Sequence, residues 1–453
     1  MKHSDQPWRV EQRGIEAVAL SERHGKTREL FAIWFAANIG FLGLLYGAII
    51  VSYQLTWWQG ILAALCGSAS FLLVGALGVF GKNVGEPMLI VTRRPFGSIG
   101  TILPALVGWI NLLGWETVIW VTATDAILAL CHDVLKIQIN STGTTILFLL
   151  LGASVFVVAL YGHATIVYVQ KWISVIFGVA TLAILLELIG HGQGHLIGNT
   201  HLASWFGGFV PAVSLIILGT GMSWVTTASD YTRYMPASTS SWRIASRTWL
   251  GAAIPLVVIM VTGMLLTPSL PSLATAANPL ALLGASLPQS WLLVFWITAA
   301  VGLLTENILA IYSSGLTLQA MHVRIARPYT AIVEYVLTGS IGLYFLLSNS
   351  PFLATLQSFL SVVGSTLAPY AGIMLIEGLF TRFGQKNRPM RAFGFPALFA
   401  WFLGILVDLA FTSTPLGNGL WAETVVGTAQ LGFLFGMVVS MVVYGLWLLG
   451  SRR

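Results

Sequence analysis

The stretch WLLVFWITAAVGLLTENILAIYSSGL, residues 291–316, decides the fold. It is long enough to cross a hydrocarbon core of roughly 30 Å, which takes about 20 apolar residues in a helix. Its one carboxylate, Glu306, has about fifteen apolar or small residues before it and about ten after it. A charge at that depth costs at least about 2.5 to 3.5 kcal/mol on insertion scales, so it needs a partner, a water-filled cavity or a function. Gly302 and Leu309 share its helical face, and Thr305 and Asn307 flank it, which gathers oxygen ligands at one level. A carboxylic acid kept neutral by a hydrogen bond inside a bundle is the structural alternative.

The rest of the chain is built the same way. Of its 453 residues 56% are hydrophobic and 8% charged, a composition that a water-soluble globule does not have. Apolar runs lie near 31–52, 58–80, 101–131, 144–161, 166–190, 208–229 and 249–268, and again near 291–317, 329–348, 352–380, 396–413 and 427–450. They predict about twelve transmembrane helices and an all-α integral membrane fold. Runs of this length exclude a β-barrel, whose strands show about ten alternating residues. Residues 1–28 are polar and lack a secretory cleavage pattern, so they are expected to stay on the protein.

All but two of the 22 Lys and Arg fall in the N-terminal segment, the even-numbered connections and the C-terminus; the exceptions are Lys136 and Lys171, the latter near the start of the run at 166–190. By the positive-inside rule this places both termini in the cytoplasm of a multi-pass inner-membrane protein. The net charge of +6 is then a topology signal and no nucleic-acid footprint. There is no Walker loop, dinucleotide fingerprint or nucleophile elbow, which argues against an ATP-driven pump or an enzyme. His191 and His195 have a four-residue spacing but lack a metalloprotease glutamate, and no metal beyond a sodium ion is expected.

Two helices look unfit to be continuous. The first carries Gly40, Gly43 and Gly47, and the sixth Gly207, Gly208, Gly219 and Gly221. Gly-interrupted segments five helices apart are the pointer to two inverted five-helix repeats, with two helices appended, although glycines also serve close helix packing. Helix three offers GWINLLGWETVIW (108–120), where Asn111 and Trp115 share a face and Glu116 follows. An aromatic plane beside a hydrogen-bonding edge suits a flat heterocycle. Asp125, Glu334 and Asp408 are further carboxylates at depth.

Five segments together resemble the first nucleobase:cation symporter family, the cytosine, purine, allantoin, uracil and hydantoin permeases, over roughly residues 30–385. They are GKNVGEPMLIVTRRPFG (81–97), GWETV (114–118), SWVTTASDYTRYMP (223–236), ENILAIYSSGL (306–316) and LAPYAGIMLIEGLFTR (367–382). The resemblance implies a transporter core over 29–385, followed by helices eleven and twelve over 386–453. It implies a substrate held between helices one, three, six and eight, with Trp115 as the stacking residue and Trp224 as the helix-six aromatic, near Gly221 and Ser223. Asn111, Glu116 and Asn307 complete the expected substrate set. The implied cation site is Ala37, Asn38 and Phe41 with Gly302, Thr305 and Glu306, for a proton or a sodium ion. Arg93, Asp230 and Arg233 fall at the cytoplasmic mouth as gating residues, with Arg93 and Asp230 expected to pair. The sequence departs from the family where Leu112 or Ile119 stands for an amide that reads the base, and where Glu306 stands for a hydroxyl.

The function expected is cation-coupled import of a nucleobase or related nitrogen heterocycle by a monomer in lipid, with no cofactor. An amino acid or vitamin-like pyrimidine as substrate, or a non-transporting membrane-embedded binding protein or sensor on the same scaffold, remain as alternatives.

Overall fold

A computed structural model describes residues 6–190, 204–276, 278–348, 352–380, 391–414 and 417–451, with backbone alone over 352–361. The His191 and His195 spacing lies outside the described residues. Ten helices among the described residues are long and apolar enough to cross a membrane, and a bent pair, Thr27–Ala37 with Leu42–Ser52, makes eleven. The expected twelfth, Phe395–Phe411, is apolar but has only 17 residues, short of an untilted crossing. Counted with it, the spans run in order as the bent pair (first), Trp57–Val84, Ile102–Asp133 (third), Ser141–Tyr161, His163–Leu188 (fifth), Trp205–Thr227 (sixth), Ser241–Leu266, Gln289–Ala320 (eighth), Arg327–Ser348 (ninth), Phe352–Phe380 (tenth), Phe395–Phe411 and Gly432–Gly450. A two-residue hairpin, Ser413–Thr414 with Gly417–Asn418, is the one strand pair among the described residues.

The chain breaks where two glycine-bearing helices predicted it. The halves of the first span meet at 68° across residues 38–41. Asn38 closes the first half by donating its amide to the Trp34 carbonyl at 2.8 Å. The sixth span stops at Gly219, turns at Thr220 (φ −125°, ψ −102°) and resumes as a tighter 3₁₀ stretch over Gly221–Thr227. Non-helical backbone is tolerated at membrane depth only where protein buries it or water reaches it. The Gly219 carbonyl accepts from Tyr46 Oη at 3.1 Å and the Ser223 carbonyl from Asn111 Nδ2 at 3.2 Å, so side chains of the first and third spans replace the lost ladder.

The glycines divide by role. Gly40 sits in the break with open space around it, whereas Gly43 packs on Ile259 and Gly47 on the Met260 backbone. Gly263 reciprocates against the Leu44 carbonyl, so Gly47 and Gly263 let the second half of the first span and the seventh span touch backbone to backbone. Close approach of this kind is the packing role of small residues in membranes. The third and eighth spans run along each other through the middle of the bundle, and the eleventh and twelfth pack chiefly on the tenth and on each other. Leu150, Val175, Val179 and Leu186, on the fourth and fifth spans, are exposed and present an apolar surface outward.

Replacing Gly47 with Val should lower the unfolding temperature and yield, since overpacking costs typically about 1 to 3 kcal/mol. Gly450→Ala, at a glycine with nothing near its missing Cβ, should leave both unchanged. Equal thermal stability of the two variants in detergent would contradict the backbone-contact assignment.

Candidate functional site: a cavity between two broken helices

Both breaks open into one cavity of about 610 Å³. Ala37, Asn38 and Gly40 line it from the first span, Asn111 and Trp115 from the third, Ser223 and Trp224 from the sixth, and Glu306 from the eighth. It extends along Gly364, Asp408, Thr412 and Gln430 to the face that carries the connection between the eleventh and twelfth spans. At its closed end Asn111, Leu112, Trp115, Ile119, Trp224 and Glu306 surround a recess of about 20 Å³, room for one water. Leu112 and Ile119 are thus at the site, as apolar walls.

The expected substrate residues separate by helical face. Asn111, Trp115, Ser223 and Trp224 come together at the cavity. Trp224 is held edge-on by Trp34 at 5.4 Å. Gly221 is at the break, but a side chain there would strike Ser70, so it serves the approach of the second span. Glu116 and Asn307 do not line the cavity. One residue past Trp115 turns about 100° around a helix, and Glu116 points to the ninth span, where Thr338 Oγ1 donates to it at 2.9 Å. Asn307 is equally buried and donates to the Glu116 carbonyl at 3.4 Å.

The expected cation residues also split. The missing side chain of Gly302 leaves the Gly40 Cα 3.5 Å and the Ile39 carbonyl oxygen 3.9 Å from where its Cβ would stand, so the eighth span lies against the first-span break. Ala37, Asn38 and Glu306 face the cavity. Thr305 is buried with its hydroxyl on the Val301 carbonyl at 2.6 Å, and Phe41 packs against Phe295 at 5.2 Å, away from the opening. Tyr46 and Gln170 were missed from sequence. Tyr46 lines the cavity beside Glu306, and the buried Gln170 amide reaches from the fifth span to the Thr305 carbonyl at 3.0 Å. A lone polar residue at depth was their only signal.

The opposite face is closed by the N-terminal segment. Arg233, fully buried, donates to the Gly14 carbonyl at 2.6 Å, to Tyr312 Oη at 2.9 Å and to Glu11 Oε1 at 3.1 Å. Tyr234 Oη also donates to Glu11, and the His163 backbone N–H donates to its second oxygen at 3.0 Å. One carboxylate from the N-terminal segment therefore ties the ends of the fifth, sixth and eighth spans. Arg93 and Asp230 lie on this side but do not pair. Arg93 donates to the Ala320 carbonyl at 2.9 Å, and Asp230 accepts from the Met88 backbone N–H at 2.9 Å, because the short helix after the second span comes between them. Nearby, burial lifts the Glu86 carboxyl above its ordinary value while Arg94, Arg93 and Arg23 pull it back.

The geometry is that of a carrier, and known proteins agree. Residues 17–439 match the family model described as permease for cytosine/purines, uracil, thiamine, allantoin. The chain belongs to that family. It is a multi-pass membrane transporter. YxlA of Bacillus subtilis (strain 168), which carries the provisional name of a purine-cytosine permease, is 27% identical over 96% of this chain and 95% of its own. Mhp1, a nucleobase-cation-symport-1 family transporter solved in a closed conformation with bromovinylhydantoin bound, shares the fold at TM-score 0.72 and 19% identity, covering 100% of this chain and 96% of the other. A Na+-coupled sialic acid symporter in an outward-open state shares it at TM-score 0.62 and 10% identity, over 94% of this chain and 90% of the other. The fold is therefore one used by cation-coupled symporters, built around paired broken helices.

Removing Arg233 strands the buried Glu11. Arg233→Ala should destabilise the protein by about 3 to 5 kcal/mol, the usual cost of breaking a buried ion pair from one side. Arg233→Lys should recover only part of this, since a lysine cannot reach the Gly14 carbonyl, Tyr312 and Glu11 together. Thermal unfolding of the three proteins in one detergent checks the order.

Proposed function

We propose that this protein imports a neutral nucleobase or related flat nitrogen heterocycle together with a cation. The observation that carries the reading is the convergence of Trp115, Trp224 and Asn111 on one cavity between the two breaks. The indoles offer faces for stacking, and the Asn111 carboxamide, anchored to the Ser223 carbonyl, offers an edge that reads ring N–H and C=O groups. No Lys, Arg or His lines the described cavity, whereas Glu306 and Asp408 do, which favours a neutral or cationic ligand over an anionic one. A cationic pyrimidine of the thiamine kind is the second reading, and those two carboxylates favour it.

The coupling cation, a proton or a sodium ion, is assigned to Glu306 and the carbonyls of the first-span break. A carboxylate beside backbone carbonyls and Asn38 suits a hard monovalent cation, and protonation would neutralise the same group. Either ion binds where two mobile helices meet the substrate, as coupling requires. The charge asymmetry supports placing both termini in the cytoplasm, so that the N-terminal segment closes the inner face and the cavity opens outward. The eleventh and twelfth spans pack on the tenth and on each other, so residues 386–453 join the transporting core of 29–385 at that helix and reach the cavity with Asp408, Thr412 and Gln430.

Uptake into proteoliposomes tests this with cytosine, adenine, uracil, allantoin and thiamine under imposed pH and sodium gradients. Saturable uptake of a neutral base, abolished by an ionophore, is the expected result. Uptake of thiamine alone selects the second reading, and no saturable uptake of any of them refutes both. Trp115→Ala should weaken binding by about 1 to 3 kcal/mol, the contribution of one base–aromatic stack, with the protein still folded. Unchanged affinity would remove Trp115 from the site. Glu306→Gln should still exchange labelled for unlabelled substrate but no longer concentrate it. Accumulation against a gradient by that variant would take the coupling role away from Glu306.

A further inference from the structure

Behind the cavity, where the third, eighth and ninth spans meet, lies a second polar cluster that substrate transport as described does not use. Glu116 and Glu334 are both fully buried and act on each other electrostatically. Each carboxyl accepts a hydrogen bond on one of its oxygens. Thr338 Oγ1 donates to Glu116 Oε2 at 2.9 Å, and Trp109 Nε1 donates to Glu334 Oε1 at 2.8 Å. The remaining oxygens, Glu116 Oε1 and Glu334 Oε2, have no partner. Ser314 of the eighth span, also fully buried, sets its hydroxyl against both carboxyls, and the side-chain carbonyl of Asn307 two turns away is unpartnered.

Unpartnered acceptors in a buried site call for a donor. Two adjacent carboxylates cannot both stay ionised there, because neither has a cation bound to it and the surroundings are apolar. Among the described residues Arg327 is the further charge that acts on Glu334, and its own donors go to Thr330 and the Ala159 carbonyl while its plane covers the Tyr312 ring. Of the titratable groups of the eighth span near this cluster, Glu306 belongs to the cavity lining and the Tyr312 hydroxyl accepts from Arg233 on the closed face.

We propose that Glu116 and Glu334 hold one proton between them, forming a proton-binding site separate from the substrate cavity and from Glu306. One carboxyl carries the proton as O–H and the other stays ionised, with the Ser314 hydroxyl against both of them as the link, which leaves the pair with a single negative charge. Loss of that proton to water leaves two charges that repel across the third and ninth spans. Trp115 and Glu116 are consecutive, so a shift of the third span that relieves the repulsion also moves the indole at the cavity. The protonation state of this pair therefore sets the position of a cavity wall.

The test needs no substrate, so its failure would leave the cavity reading untouched. The full-length native protein, Glu334→Gln, Glu116→Gln, the double Gln variant and Glu306→Gln are reconstituted in nanodiscs. Infrared difference spectra and unfolding temperatures are recorded from mildly acid to mildly alkaline pH. The native protein and Glu306→Gln should show a carboxylic-acid carbonyl band that is lost as pH rises, with a fall in unfolding temperature over the same interval. Glu334→Gln should lack that band or shift it, and the double variant should lose the native fall in unfolding temperature over that interval. Glu116→Gln gives the same reading if Glu334→Gln does not fold. A native band that survives in both single variants, or a double variant with the native pH profile, overturns the proposal.

Discussion

Everything in this protein depends on the cost of leaving a backbone N–H or C=O unsatisfied in hydrocarbon. Among the described residues the continuous helices meet that cost internally, and the two spans broken at the cavity meet it with side chains. The Tyr46 hydroxyl and the Asn111 and Asn38 amides are aimed at carbonyls that the breaks set free or leave exposed. Such bonds can be exchanged for water or for a ligand at little net cost, whereas a helical ladder cannot. The breaks are thus the places where the bundle can bind something polar and where it can bend.

The third span shows how one helix serves two environments. Its Trp115 face meets the cavity and its Glu116 face meets the eighth and ninth spans. Rotation by one residue separates an aromatic wall from a buried acid, so neither group can move without the other. The eighth span does the same, with Glu306 toward the cavity, Asn307 on the Glu116 carbonyl of the third span and Ser314 against Glu334 of the ninth. Helix packing at the centre of the bundle leaves such two-faced helices few independent motions.

The fold was legible because its signals are long and periodic. Apolar runs, the asymmetry of basic residues and two glycine-bearing helices five apart report on every turn of helix, and the breaks fall where those glycines led. The break at residue 40 could not be told from the packing glycines at 43 and 47 by composition, since what differs is whether the seventh span lies opposite. Trp115, Asn111 and Glu306 were legible because a polar or stacking group at depth in a helix needs a reason. Glu116 and Asn307 were drawn into the same site because they are neighbours in sequence, and adjacency on a helix means a different face. Arg93 and Asp230 were paired on charge alone, but backbone groups supplied closer partners. Glu11 carried no signal at all. It looks like any acidic residue of a polar N-terminal segment, and only the arrival of Arg233, Tyr234, Tyr312 and the start of the fifth span makes it central.

That last contact links the two faces of the molecule through one short stretch of chain. The sixth span lines the cavity with Ser223 and Trp224 just after its break, and the turns that follow Thr227 carry Arg233 into the grip of Glu11. Residues 221–227 are wound as a tight 3₁₀ stretch, whose poorer hydrogen bonds make it easier to deform than an α-helix. Opening the closed face requires the Glu11 carboxylate to release Arg233, and an unpaired buried charge on either side would be expensive. A change at the break, about a dozen residues before Arg233 in the chain, is one place from which a ligand can bias that release. A ligand that pulls Trp224 and Trp115 together acts on this break, and a cation between Glu306 and the first-span break acts on its neighbour. On this reading neither alone strains both halves of the cavity wall, which is the physical basis for requiring the two together.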